Sequence, residues 1–215
     1  MEIGGIRPSE SLSASWFGRV LIGSVGERWP FFNQKPMLAL AQVNVAGLPF
    51  RTPGFADIDF ITVFIRSDRL PLPGEQNGTS WILRAYNSLA NLVPLEPPNT
   101  DSFIKPFQMN PKVVDDDFPC FDDIPVYLRD RIRNAYQENQ IKNTDSFKLG
   151  GWPTLIQSEI QWVPFNQHSS KPEYVFQIDS TEKGNWMWGD SGMGYFGRDT
   201  VEGHKDDWML SWQCY

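Results

Sequence analysis

Two apolar runs in this chain carry a glutamine where a core strand would carry a hydrocarbon: Leu38-Ala39-Leu40-Ala41-Gln42-Val43-Asn44 and Tyr174-Val175-Phe176-Gln177-Ile178-Asp179. A buried amide must find hydrogen-bond partners, so such a residue restricts what can be built around it. The surroundings repeat as well. Ten residues separate Gly18 from Trp29-Pro30, which precede Gln42, and ten separate Gly151 from Trp162-Val163-Pro164, which precede Gln177. Each run leads on to a glycine and an aromatic strand, Gly54 with Phe60 to Phe64 and Gly189 with Tyr195-Phe196. Two copies of one β unit, giving a pseudo-two-fold molecule, are predicted from this order. Gln42 and Gln177 then either bond backbone where the halves meet or line a cleft.

The rest of the chain divides around that repeat. Residues 16–95 read as a first β unit, with strands at Met37–Val45, Phe60–Ile65 and Trp81–Tyr86 and a turn signal at Asn77-Gly78. Seven prolines between Pro94 and Pro125 forbid regular helix and make residues 96–122 a connection. A helix is predicted over 123–140: Asp123 is placed to cap it, Pro125 is tolerated in the first turn, and Ile124, Leu128, Ile132 and Tyr136 share a face. Arg129, Arg131 and Arg133 fall off that stripe and read as a solvated face. Residues 147–215 form the second β unit. The expected class is α+β and β-rich, with two related sheet-containing halves joined by the proline-rich connection and one amphipathic helix, all within one domain of residues 1–215.

Composition narrows the function. Thirty aromatic residues in 215 suffice for a packed core, which excludes a disordered chain. The formal charge is −7, which argues against a nucleic-acid binder that works by neutralising phosphates. Residues 1–110 balance nine basic against nine acidic side chains, so the excess belongs to residues 111–215. Its densest part holds Asp115, Asp116, Asp117, Asp122 and Asp123, read either as a solvated loop that caps the helix or as an acidic docking surface for a basic partner. No segment has the length and apolarity of a signal peptide or membrane helix, so a cytoplasmic protein with two free thiols, Cys120 and Cys214, is expected.

Catalytic and metal motifs are thin. Gly189-Asp190-Ser191-Gly192 resembles a serine-protease nucleophile loop only superficially, and Met193 breaks Gly-x-Ser-x-Gly. The histidines, His168 and His204, do not stand in a protease context, although a hydrolase built on Ser191, Asp190 and His204 is a conceivable alternative. No dinucleotide or Walker loop, zinc spacing or EF-hand occurs, so no cofactor or metal is expected. A tight turn is the expected role of Asp190 and Ser191.

Trp16-Phe17-Gly18, Lys148-Leu149-Gly150-Gly151-Trp152-Pro153 and Met187-Trp188-Gly189-Asp190-Ser191-Gly192-Met193-Gly194 together resemble the YwqG-like family of bacterial domains of unknown function. The resemblance spans roughly residues 16–215. It implies an α+β fold of two related halves without established catalysis, and an origin among small cytoplasmic proteins encoded near secreted toxins, where an immunity role has been suggested. The leading expectation is a protein-binding module that neutralises a basic toxin or effector domain, with no nucleic acid or membrane as partner. The alternative is a small-ligand or carbohydrate binder that uses a cleft between the halves, where Gln42, Gln177, Trp152, Trp188, Asp190 and Ser191 are the candidate residues.

Overall fold

The computed structural model describes residues 2–3, 9–99, 101–162, 172–200 and 207–215. Its architecture is α+β and rich in strand: fourteen short strands and one helix among the described residues. The first half is built on β2 (Trp16–Phe17), β6 (Leu38–Asn44), β7 (Phe60–Ile65) and β8 (Trp81–Tyr86). The second is built on β11 (Lys148–Leu149), β12 (Glu173–Asp179), β13 (Met193–Arg198) and β14 (Trp208–Gln213). Both sets pair antiparallel in chain order.

The predicted repeat is present down to individual hydrogen bonds. Gln42 faces Trp16 on one neighbouring strand and Thr62 on the other, as Gln177 faces Lys148 and Tyr195. Both central strands carry a bulge at the same place, between Ala39 and Ala41 and between Tyr174 and Phe176. The bulged carbonyls, of Leu40 and Val175, accept the N–H of Gly18 (2.7 Å) and Gly150 (2.8 Å). These two glycines share a left-handed φ, +69° and +73°. The glycine equivalent to Gly18 is therefore Gly150, one residue before the expected Gly151: eleven residues, not ten, separate it from Trp162, and the stretch to the bulged residue is 25 positions against 22 in the first copy. Trp29 packs edge-on against Phe64, and Trp162 lies over Gly197, the matching position on β13. Pro164 lies outside the described residues. Gly54 and Gly189 do not correspond: Gly54 abuts Val175 of the other half, whereas Gly189 turns the chain at φ +62° beside Cys214.

The sheets bury a common core, with Leu40, Val43, Ile61, Val63 and Trp81 of the first half clustered with Phe176, Ile178, Phe196 and Leu210 of the second. Trp81 meets Phe196 edge to face at 6.1 Å, and Phe196 stacks on Phe176 at 4.4 Å. Gly194 sits mid-strand because a Cβ there would lie 2.4 Å from the Trp188 ring, so its absence lets that indole lie against the sheet. Polar bonds also cross between the halves. Arg198 grips Asp57 with two bonds of 2.6 and 2.9 Å, and the Trp212 indole N–H donates to the Pro71 carbonyl.

The short pairs β3 (Ile22–Ser24) with β9 (Leu92–Pro94), and β4 (Phe31–Phe32) with β5 (Lys35–Pro36), lie outside the two sheets. Part of the proline-rich connection proves to be strand: β10 (Phe107–Asn110) enters the first sheet between β2 and the terminal β1 (Glu2–Ile3). Pro106 and Pro111 bracket four residues whose N–H groups are all free to pair. Phe107 stacks on Phe17 at 5.0 Å.

The helix α1 spans Val126–Gln137, shorter than expected, with Pro125 at its N-cap and no side-chain cap. Asp123 does not cap it. Proline disfavours helical backbone in the residue before it, and Ile124 is extended (φ −77°, ψ 135°), which leaves Asp122 and Asp123 in a separate 3-10 turn, Phe121–Asp123. The Leu128, Ile132 and Tyr136 stripe is half-buried. Arg129 is not a solvated charge: its guanidinium donates to the carbonyls of Ile124 (2.8 Å) and Asp122, fastening the turn to the helix.

Candidate functional site

The five aspartates of the acidic stretch do not form one surface. Asp115 and Asp116 are exposed, and Asp122 and Asp123 are exposed on the turn before α1. Asp117 is internal. Its carboxylate pairs with Lys148 at 3.0 Å, both side chains about nine-tenths buried, and accepts the N–H groups of Thr144 and Trp152, each at 2.7 Å. Burial pushes the Lys148 ammonium below its ordinary value despite the pull of Asp117. A Cβ on Gly151 would lie 2.4 Å from this carboxylate. The Lys148-to-Trp152 motif is thus the receptor for Asp117, and the partner-binding role expected of that residue is corrected to an internal tether. Aspartate had the same charge in sequence whichever way it faced.

Asp115 and Asp116 do adjoin an apolar surface. Phe50, Val113 and Val114 are exposed around a shallow groove of about 140 Å³ whose wall includes Gly151, next in the chain to the exposed Trp152. Asp190 and Ser191 belong to a turn closed by the Gly192 N–H on the Trp188 carbonyl (2.9 Å), with Ser191 at φ +50°. The Asp190 carbonyl, not its side chain, accepts the N–H of Tyr215, and Ser180 holds the turn through bonds to the Gly192 carbonyl and the Trp188 N–H. Trp188 is fully buried in the core, so it contributes packing and not a binding surface. His168 and His204 lie outside the described residues.

Gln42 and Gln177 are fully buried and bonded within the protein. The Gln42 amide donates to the carbonyls of Leu12 and Ala14 and accepts the Leu21 N–H. Gln177 donates to the Ser146 carbonyl and Thr154 Oγ1, and accepts from the Thr154 N–H and the Tyr174 hydroxyl. Each straps the chain before the short neighbouring strand, β2 or β11, to the chain after it. Neither lines a cleft.

A cleft is present nonetheless, with a volume of about 1030 Å³, where the loop Arg66–Leu70 of the first half faces residues 179–193 of the second. Phe103 of the connection stacks on Trp186 (6.3 Å) and is anchored by Asn185, which donates to its carbonyl. Arg66 is committed to Asp68 through bonds of 2.6 and 2.8 Å, which hold that carboxyl down to about 2. Asp179 is different. Burial, reinforced by the neighbouring charge of Asp145, pushes its carboxyl up to about 6. A carboxyl with a raised folded-state value binds its proton more tightly in the native chain, so its contribution to stability is complete below 3.8 and is lost as pH climbs toward about 6. Asp179→Asn is expected to flatten that decline, as read from urea midpoints taken between about pH 4 and about pH 7.

Sequence reading missed Asp145, Asp179, Phe103 and Trp186. One signal was available for Asp179: it occupies the repeat position held in the first half by Asn44, which accepts the Gly47 N–H of a local turn.

The family model described as Domain of unknown function (DUF1963) matches residues 23–214. This chain belongs to that family. No curated protein matches it. The match runs through β6 to β8 of the first unit, the connection and the second four-strand unit, so it contains the Asp117 receptor, the Gln177 strap and the cleft residues from Arg66 to Met193, while β2 and the Leu12, Ala14 and Leu21 partners of Gln42 precede it.

Proposed function

We propose that this DUF1963 member is of the YwqG-like type and acts as a non-catalytic protein-binding module, a cytoplasmic immunity protein that occludes a basic bacterial toxin. The observation that carries the reading is the exposed set Phe50, Val113, Val114 and Trp152 beside Asp115 and Asp116. Its groove, about 140 Å³, is too small for a metabolite and suits one anchoring side chain. Exposed aromatic and aliphatic groups at the centre with carboxylates at the edge match the make-up of an interface, and the carboxylates would steer a basic partner.

Surface plasmon resonance against the toxin product of the adjacent gene, at two ionic strengths, tests this. Association should slow as salt rises and slow further in Asp115→Asn/Asp116→Asn, while Phe50→Ser and Trp152→Ala should speed dissociation by about tenfold or more. Unchanged kinetics in all these variants would remove this face from the interface, and absence of binding would discredit the immunity reading. A second reading, a small-ligand binder, is favoured by the cleft of about 1030 Å³ shared between the halves.

A further inference from the structure

The charges around the large cleft do not balance. Arg66 and Asp68 satisfy one another, and the Arg66 guanidinium also lies over the Phe32 ring at 4.2 Å, so neither is free for a ligand. That leaves Arg69 against Asp145, Asp179 and Glu182. Among the described residues neither Asp145 nor Asp179 forms a salt bridge, although Asp179 is half-buried at the end of β12. A half-buried carboxylate with no internal cation beside it is a position at which a ligand cation gains most, since the cost of removing the carboxylate from water is already part of the folded state.

The remaining walls select the kind of cation. A hard metal ion needs several oxygen ligands, and no three His, Cys, Asp or Glu side chains converge among the described residues. The cleft instead sets carboxylates beside apolar surface. Phe103 and Met187 are each about half exposed, and Phe103 is held flat by its stacking on Trp186. A planar or apolar body would lie on that surface while its charged end reaches the acids, an arrangement that also gives ring–cation attraction.

We infer that the cleft between the halves binds an organic cation, a primary ammonium or guanidinium group on an aromatic or aliphatic body, held by Asp179 and Asp145 with its body against Phe103 and Met187. This rests on the small-ligand reading of the cleft and is independent of the docking face that contains Phe50. The same chemistry is offered by a free amine and by a lysine or arginine side chain of a peptide.

Isothermal titration with tryptamine and with its neutral counterpart tryptophol, alongside acetyl-Gly-Lys-Gly-amide and its norleucine analogue, tests the inference on the full chain. Each cation should bind at least about tenfold more tightly than its neutral partner, with loss of about tenfold in Asp179→Asn and a smaller loss in Phe103→Ala. Glu96→Gln, at an exposed carboxylate that is not part of the cleft wall, should bind as the parent does. Tighter binding of the lysine peptide than of tryptamine would support a protein side chain as occupant, and the reverse a free amine. Neutral and charged compounds binding equally, or an Asp179→Asn variant of parental urea midpoint that binds tryptamine undiminished, would overturn the cation assignment while keeping the cleft as a ligand site. No binding by any of the four compounds would overturn both.

Discussion

Asp117→Ala is expected to lower the unfolding free energy by about 3–5 kcal/mol, the range for breaking a buried ion pair on one side. Three groups lose their acceptor at once: the Lys148 ammonium and the N–H groups of Thr144 and Trp152. Against a total stability of about 5–15 kcal/mol for a typical domain, that is a large share. Lys148→Met should cost less than Asp117→Ala, because the carboxylate that remains still accepts two backbone donors and the depressed value of Lys148 shows that its own charge is held at a cost. Urea unfolding of the two single variants and the double, with a common m-value, gives the ordering and the coupling, expected at about 0.5–3 kcal/mol. By contrast Asp115→Asn and Asp116→Asn should lie within about 0.5 kcal/mol of the parent, as exposed substitutions do. A Lys148→Met variant less stable than Asp117→Ala would show that the pair, and not the backbone donors, dominates the tether.

The contrast between Asp115, Asp116 and Asp117 marks where sequence ceases to be informative. Strand positions were legible because apolar runs of six or seven residues rise above their surroundings: Phe60–Ile65 and Trp81–Tyr86 have the predicted limits, and Leu38–Asn44 falls one residue short at each end. The repeat was legible because an amide inside an apolar strand is rare enough to be a landmark. Asp117 was not, since its partners lie 27 to 35 residues away and only the fold brings them to it. The helix start was misplaced because two local rules competed at one point, aspartate as a cap against the constraint that Pro125 puts on Ile124, and the backbone constraint prevailed. The cleft was invisible for a further reason. Arg66, Phe103, Asp145 and Asp179 come from separate segments, and each taken alone has an ordinary surface explanation. The three motifs that carried the family resemblance are accounted for by architecture: Trp16-Phe17-Gly18 forms β2 and bonds the bulge of β6, the Lys148 motif receives Asp117, and the Met187 motif turns the chain between Trp188 and β13.

Replacing either glutamine by leucine, which keeps the volume and removes every hydrogen bond, is expected to destabilise the protein by at least about 3 kcal/mol, since an orphaned buried donor or acceptor costs about 1–3 kcal/mol. Gln42→Leu strands the carbonyls of Leu12 and Ala14 and the N–H of Leu21, and Gln177→Leu strands the Ser146 carbonyl and the Thr154 N–H. Because the two straps occupy equivalent places, with Ala14 matched by Ser146 and Gly18 by Gly150, the effects should be similar in size, a correspondence that no single contact requires. Glutamate is the sharper probe. In Gln42→Glu an ionised carboxylate would face two carbonyl oxygens now 2.9 and 2.6 Å from the amide nitrogen, so the folded chain must hold that group protonated. Its folded-state value is therefore raised, and the variant should be nearest the parent in acid and lose stability as pH rises past the ordinary glutamate range of about 4.3. Gln177→Glu should show the same sign for the same reason, with the Ser146 carbonyl in place of that of Ala14. Urea midpoints of both variants across the pH range decide the matter. A loss that is large for one glutamine and negligible for the other would show that the two β units share a shape without sharing the interaction that holds it, and a pH-independent loss in both would show that water reaches the straps.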